Sequence, residues 1–267
     1  LMSTNYLFIL NITAIQSDIF WENPTKNIDF LENILLDFPY TDLIVLPEMF
    51  STGFSMNAVK IAESKFGTSF QWMKKMAIKL DTTILGSIPT VDKNKFYNRL
   101  YVVNKESFYH YDKKHLFTMA QEDIAYSSGK SELIIDLKGF KIKPLICYDL
   151  RFPVWSRNRV IDNSYDYDIL IYIANWPSIR SNAWIDLLKA RAIENLSYVI
   201  GINRVGNDGN GIKYNGSSRV FDFKGKRLDQ FKNDIFCVQH VNLNKKSLNE
   251  FRKKFPALND ADKFRFI

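Results

Sequence analysis

Pro144-Leu-Ile-Cys-Tyr-Asp-Leu-Arg-Phe-Pro153 ends an apolar run that begins at Lys141 and then breaks into a turn. Lys141–Ile146 reads as a strand, paired with Leu133–Leu137 across a Lys138-Gly139 hairpin turn. A helix is expected from Phe152 onward. Strand, turn and helix therefore follow one another, with a thiol at the elbow. The same alternation extends in both directions. Upstream, Tyr6–Ile15 is strand-like, and Asn23-Pro24 offers a helix cap followed by proline at the first helical position. Ile28, Leu31, Leu35 and Phe38 then recur at helical spacing. Leu43–Leu46 is a short buried strand stopped by Pro47, and Thr68–Leu80 is a second amphipathic helix. Thr83–Ile88, Asn98–Val103 and Ser107–Tyr111 read as strands. Downstream come the strand Ile169–Ala174, the helix Asn182–Asn195, and the strands Tyr198–Asn203 and Ser217–Phe223. Strands that are apolar on both faces need helices to cover them, so a layered α/β protein is expected. No linker or repeat interrupts residues 1–267, which read as one domain. Strand order does not follow from this reading.

Bulk properties exclude several classes. Hydrophobic residues make up 46% and charged residues 24% of the 267, as in soluble globular proteins. No apolar run approaches the roughly 20 residues that span a bilayer. Tyr6–Ile15 lacks a basic flank and a small-residue cleavage site, so it reads as a first strand rather than a signal peptide. Only 2 cysteines, Cys147 and Cys237, are present, so no disulfide framework is expected and a reducing cytoplasm is the simpler setting. The 3 histidines show no metal-ligand spacing, and no metal is expected. The net charge of +7 is scattered rather than striped, and no nucleic-acid motif accompanies it. The densest basic group, Lys245, Lys246, Arg252, Lys253 and Lys254, reads as a solvated helix face.

Glu48, Cys147 and Asn175-Trp176 each follow a buried strand, and α/β sites gather at the carboxyl ends of strands. By its residues alone, Cys147 is either an inert buried thiol or a nucleophile whose thiolate is favoured by N–H groups at the elbow. A thiol nucleophile needs a base. His115 and Glu48 are both candidates; Glu48 directly follows Leu-Ile-Val-Leu-Pro, where a carboxylate is costly unless paired or functional. Lys113 and Lys114 are either a solvated turn or a source of an oxyanion-stabilising ammonium.

Three segments then carry a resemblance. Leu46-Pro-Glu-Met-Phe50, Tyr111-Asp-Lys-Lys-His-Leu-Phe117 and Cys147-Tyr-Asp-Leu-Arg-Phe152 resemble, in order, the signature segments of the nitrilase superfamily. Gln121-Glu-Asp…Gly129, Arg191-Ala-Ile-Glu-Asn195 and Asn203-Arg-Val-Gly206 resemble further family blocks. Ala174-Asn-Trp-Pro177 and Pro256…Asp260-Ala-Asp262 look like the omega-amidase branch. The resemblance implies a four-layer αββα sandwich, usually paired as a homodimer. It also implies hydrolysis of the terminal amide of 2-oxoglutaramate or 2-oxosuccinamate through a cysteine thioester, with no cofactor. By position, Glu48 becomes the base, Lys113 the oxyanion stabiliser, Cys147 the nucleophile and Glu122 an auxiliary carboxylate; Lys114 is not the catalytic lysine, and His115 is structural.

A substrate derived from a dicarboxylate needs a cation for its far carboxylate. Arg151, Arg180 and Arg204 are candidates, Arg180 first, because arginine grips carboxylate in a fork. Phe117, Tyr148 and Trp176 are expected to wall the pocket. Another carbon–nitrogen hydrolase, acting on N-carbamoyl compounds or nitriles, and a catalytically silent binding protein of this fold are the alternatives.

Overall fold

The computed structural model describes residues 8–162 and 164–264. Tyr6 and Leu7 of the expected first strand lie outside them. The first sheet takes β1 (Ile9–Gln16), β2 (Leu43–Val45), β3 (Glu63–Ser64), β4 (Thr83–Asp92), β5 (Lys95–Val103) and β6 (Phe108–Asp112). Between its strands lie helices α1 (Pro24–Leu35), α2 (Ala58–Ile61) and α3 (Thr68–Lys79); α4 (Glu122–Ala125) follows β6. The chain continues through β7 (Ile135–Leu137), β8 (Phe140–Ile146), α5 (Pro153–Ser156) and a small ribbon, β9 (Val160–Ile161) with β10 (Ser164–Tyr165). Then come β11 (Ile169–Ala174), α6 (Ser181–Glu194) and β12 (Tyr198–Asn203). A hairpin of β13 (Val205–Asn207) and β14 (Lys213–Asn215) leads to β15 (Arg219–Phe221). Finally β16 (Cys237–Asn244) returns to the first sheet, antiparallel to β1, and α7 (Lys245–Lys254) follows.

The first sheet runs β16-β1-β2-β4-β5-β6, with β3 added beside β4; the second runs β15-β12-β11-β8-β7. Strands β1, β2 and β4 are parallel, as are β8, β11 and β12. Alternation along each strand sorts side chains between layers. Leu10, Ile12 and Ala14 of β1, Leu43 and Val45 of β2, and Leu100 and Val102 of β5 join one core with Phe140, Ile142 and Leu145 of the second sheet. Their neighbours Ile15, Ile44, Tyr101 and Val103 point the other way, into a second core with Ile28, Leu31 and Leu35 of α1 and Phe70, Met73 and Met76 of α3. Helix α6 lays Trp184, Leu188 and Ala192 against the second sheet. It lies so close to β12 that a Cβ on Gly201 would stand 2.3 Å from Leu188 Cδ1. Helices, sheet, sheet, helices: this is the expected αββα sandwich.

Local signals explain several joints. Asn23 Oδ1 accepts from the Lys26 N–H at 3.1 Å and caps α1 ahead of Pro24. Lys138 and Gly139 both adopt positive φ, at 51° and 77°, the geometry of a type I′ hairpin turn.

Three readings need correction. The helix expected from Phe152 is present as α5, capped by Phe152, but lasts only four residues, and Cys147–Arg151 before it winds as a 3₁₀ turn. The chain leaves α5 because Asn158 is pinned elsewhere: its N–H donates to Asn195 Oδ1 at 2.8 Å, and its side-chain amide to Tyr167 O and Asn195 O. The strand expected over Ser217–Phe223 narrows to Arg219–Phe221, because the Ser218 hydroxyl is engaged with the Asn203 backbone. The basic group at α7 is not all solvated. Arg252 is buried, donating to Asp168, Leu196 O and Tyr167 O, and Lys245 pairs with the same Asp168. No helix among the described residues is long and apolar enough to cross a membrane.

Candidate active site

Two strand exits supply the centre of the site. Leu46-Pro47 carries the chain out of β2 and delivers Glu48; β8 ends at Ile146, directly before Cys147. Lys113 follows β6 directly, and Asn175 follows β11. The side chains of Glu48, Lys113 and Glu122 are fully buried. Lys113 Nζ stands 2.9 Å from Glu48 Oε1 and 2.9 Å from each Glu122 oxygen. Asn98 Nδ2, from β5, reaches Glu48 Oε1 at 2.8 Å and Glu122 Oε1 at 3.2 Å. The Phe117 N–H donates to Glu122 Oε2 at 2.6 Å. From the second sheet, the Asn175 N–H donates to Glu48 Oε2 at 2.7 Å and its side-chain amide to Glu48 O at 2.6 Å. Every carboxylate oxygen therefore has a donor, as buried charge requires.

The electrostatics follow from this packing. Burial alone would strip Lys113 of its proton, but Glu122 and Glu48 outweigh it and hold the ammonium charged, well above the ordinary lysine range. Burial, opposed by Lys113 and reinforced by Glu48, raises the Glu122 carboxyl. Burial and the facing Glu48 carboxylate push the Cys147 thiol far up, against the pull of Lys113. That direction runs against a thiolate favoured at the elbow and favours the protonated sulfur, with Glu48 as a hydrogen-bonding partner of the thiol. Cys147 holds a φ of 43°, a left-handed conformation that non-glycine residues adopt at a cost.

The elbow is clamped from below. Asp149 Oδ2 accepts from the Ile146 N–H at 3.0 Å and the Tyr111 hydroxyl at 2.8 Å. Its Oδ1 lies 3.0 Å from the His115 N–H and 2.8 Å from His115 Nδ1. His115 also stacks on Phe152, with centroids 3.9 Å apart. Its Nδ1 is engaged with Asp149 and its face with Phe152, partners that tie the imidazole to the scaffold.

Cys147 opens onto a cavity of about 370 Å³. Phe117, Tyr148, Trp176 and Arg180 all line it, as expected, together with Arg151. The Phe117 and Tyr148 rings meet edge to face at 5.0 Å. Phe54, Met56, Met119, Ile212 and Tyr214 complete much of the wall; none was singled out from sequence, where they read as ordinary apolar positions. Arg204, a candidate carboxylate ligand, is excluded from the cavity. It is buried, pairs with Asp18 at 2.6 Å, and donates to Val205 O, Ile19 O and Asn207 O. Asn98 was missed altogether; a polar residue in an alternating strand carries no signal of its role. Among the described residues no group of His, Cys, Asp or Glu side chains is arranged to hold a metal ion.

Comparison with known proteins bears on this geometry. The carbon-nitrogen hydrolase family profile matches residues 11–250. The omega-amidase YafV of Escherichia coli is 41% identical over 96% of this chain and 98% of its own. The 2-oxoglutaramate amidase of Bacillus subtilis is 31% identical over 94% of this chain and 97% of its own. The crystal structure of XC1258 from Xanthomonas campestris, a CN-hydrolase superfamily protein with an arsenic adduct in its active site, superposes with a TM-score of 0.93. It is 38% identical, and the match covers 97% of this chain and 99% of that one. A lone thiol elbow, two buried carboxylates clasping one lysine and full-length similarity of this degree lead to one assignment: the chain belongs to the carbon-nitrogen hydrolase family, the nitrilase superfamily.

Proposed function

We propose that this protein is an omega-amidase that hydrolyses the terminal amide of 2-oxoglutaramate or 2-oxosuccinamate, releasing ammonia and the 2-oxo dicarboxylic acid. The observation that carries the reading is that Cys147 lines a cavity while the Glu48–Lys113–Glu122 group that acts on its sulfur is fully buried. The full-length similarity to the E. coli and B. subtilis enzymes supports the same substrate class.

In this reading the amide enters with its carbonyl carbon over Cys147. Glu48 takes the thiol proton as the C–S bond forms, and the carbonyl π pair becomes an oxyanion. Direct transfer of this kind suits a thiol held far above its ordinary range, because no free thiolate has to exist beforehand. The two Glu122 oxygens can share one Lys113 N–H, which leaves another for the oxyanion. The Tyr148 N–H, in the first turn after the elbow, is the second donor. When the intermediate collapses, the C–N bond breaks and Glu48 returns its proton to the departing nitrogen. Water then attacks the thioester, Glu48 accepts its proton, and C–S cleavage regenerates the thiol. Glu122 keeps Lys113 charged and fixed. At the far end Arg180, whose guanidinium lies over the Phe117 ring at 5.3 Å, receives the substrate carboxylate.

An ammonia-release assay across small amides tests this. 2-Oxoglutaramate and 2-oxosuccinamate are expected to be turned over best, and Cys147→Ala to be inactive. Faster release from an N-carbamoyl compound or a nitrile would replace the substrate assignment, and no release from any of them would leave a binding protein. Homodimer formation, implied by the resemblance, is checked by light scattering after size exclusion.

A further inference from the structure

Ten arginines lie among the described residues, and eight of them donate from the guanidinium to a carboxylate or a carbonyl. The other two are Arg151 and Arg180. Among the described residues neither has an ion-pair or side-chain hydrogen-bond partner, and both line the Cys147 cavity. Each instead rests on an aromatic wall: Arg151 over the Trp176 ring at 4.9 Å, Arg180 over the Phe117 ring at 5.3 Å. The Trp176 indole N–H in turn donates to Arg180 O at 2.8 Å, so the ring beneath Arg151 is tied to the Arg180 backbone. An aromatic face holds a guanidinium in place without consuming its N–H donors. The one carboxylate lining this cavity, Asp208, is already occupied by the N–H groups of Asn210 and Ile212 and by the Tyr214 hydroxyl.

The geometry points to Arg151 and Arg180 acting together as a two-guanidinium mouth that sets the charge of the substrate's far end, with Arg151 a specificity-determining residue equal in weight to Arg180. This inference rests on the amidase reading above and deepens it. Two cations with all their donors free suit a group that offers several oxygen acceptors in one plane, a carboxylate with an adjoining 2-oxo oxygen. The same mouth rejects the corresponding 2-amino acid amide, because an α-ammonium would face two positive charges and find no free carboxylate. Selection between 2-oxo and 2-amino acid amides is thus made by charge at the rim, away from the reacting carbon.

The test separates binding from turnover by using the Cys147→Ala protein as a non-reacting receptor. It is titrated calorimetrically with 2-oxoglutaramate and with glutamine, alone and combined with Arg151→Gln or Arg180→Gln. Each arginine variant is expected to weaken 2-oxoglutaramate binding about 10- to 100-fold, the range of one charge-assisted contact. Glutamine should bind at least tenfold more weakly than 2-oxoglutaramate, and in the Cys147-intact protein Arg151→Glu should shift the ratio of the two hydrolysis rates toward glutamine. Thermal melts of each variant within a few degrees of the parent establish that the fold is retained; a variant that melts early is replaced by Arg151→Lys, which keeps the charge and should lose less than the glutamine variant. Binding unchanged within twofold in Arg151→Gln overturns the inference, whatever the enzyme hydrolyses. Loss of binding in both variants without 2-oxoglutaramate hydrolysis by the parent enzyme upholds the mouth and refutes the proposed function. No binding of 2-oxoglutaramate to the receptor refutes both.

Discussion

Replacing Lys113 with methionine should damage stability and catalysis through one cause, and pH separates this cause from ordinary repacking. Methionine fills similar space, so little cavity is created. What is lost is the single cation between Glu48 and Glu122, both fully buried and both within 2.9 Å of Nζ. Removing one partner of a buried pair costs about 3–5 kcal/mol, because the remaining charge is left without compensation. At about 2–4 °C per kcal/mol, this predicts a fall in Tm on the order of 6–20 °C at pH 7.5. The pH dependence follows from the signs. In the parent protein the Lys113 pKa is raised by its partners, so its stabilisation is full below the ordinary lysine pKa and is lost only as pH rises through the higher folded value. In the variant, burial and repulsion raise the Glu122 carboxyl further, since it is raised even with Lys113 present. A raised carboxyl favours the folded state at low pH, so the deficit should shrink as pH falls toward 5 and Glu122 takes up a proton. Melting curves of both proteins at pH 5.0, 6.5 and 8.0 measure this. A deficit that is constant across the series, or that grows in acid, would refute the charge argument. With Lys113 as the proposed oxyanion donor, its loss should separately lower kcat by about 10²–10³-fold or more.

Cys147→Ala should abolish ammonia release while leaving the fold intact; activity within tenfold of the parent would remove Cys147 from the chemistry. Because burial and Glu48 hold the thiol far above its ordinary range, alkylation of Cys147 by iodoacetamide should be slow near pH 7 and accelerate into the alkaline range, and mass spectrometry after timed quenching would reveal a contrary fast reaction at pH 6. Gly129→Ala should destabilise the protein and lower kcat together: its Cβ would stand 2.0 Å from Asp112 O, on the segment that carries Lys113, so a stable and fully active variant would contradict the packing described.

How much of this was legible beforehand depends on the range of the interaction. The sandwich followed from short-range pattern: alternation in β1, β2 and β5, and helical spacing in α1 and α3, already assign each side chain to a layer. The elbow was visible as a turn after an apolar strand, yet its residues alone left Cys147 between an inert thiol and a nucleophile with a histidine base. Only the ordered family segments brought Glu48, Lys113, Glu122 and Cys147 into one group. What stayed hidden was set by partners distant in sequence. Arg204 looks like Arg151 or Arg180 until Asp18, 186 residues away, is seen to take its guanidinium. Arg252 belongs to a run of basic residues that looks solvated until Asp168 is folded beneath it. Asn98 has no pattern at all, because its importance comes from bridging two carboxylates. The helix expected after Phe152 is cut to four residues by Asn158, whose anchor, Asn195, arrives 37 residues later.

The bond from Asn175 N–H to Glu48 Oε2 joins residues 127 apart and stitches one sheet to the other. A ribosome delivers Glu48 and Lys113 well before Cys147 and Asn175. The emerging polypeptide thus carries Glu48 and Lys113 before it carries the thiol, and Glu48 Oε2 has no donor until the second sheet has docked. Contacts of such long range form late, since the intervening chain must be closed first. Enzymatic competence is therefore a property of the completed molecule and not of any half-made one. During refolding from denaturant, the return of ammonia release should trail the return of the circular dichroism signal, and the lag between them would clock the docking of the two halves.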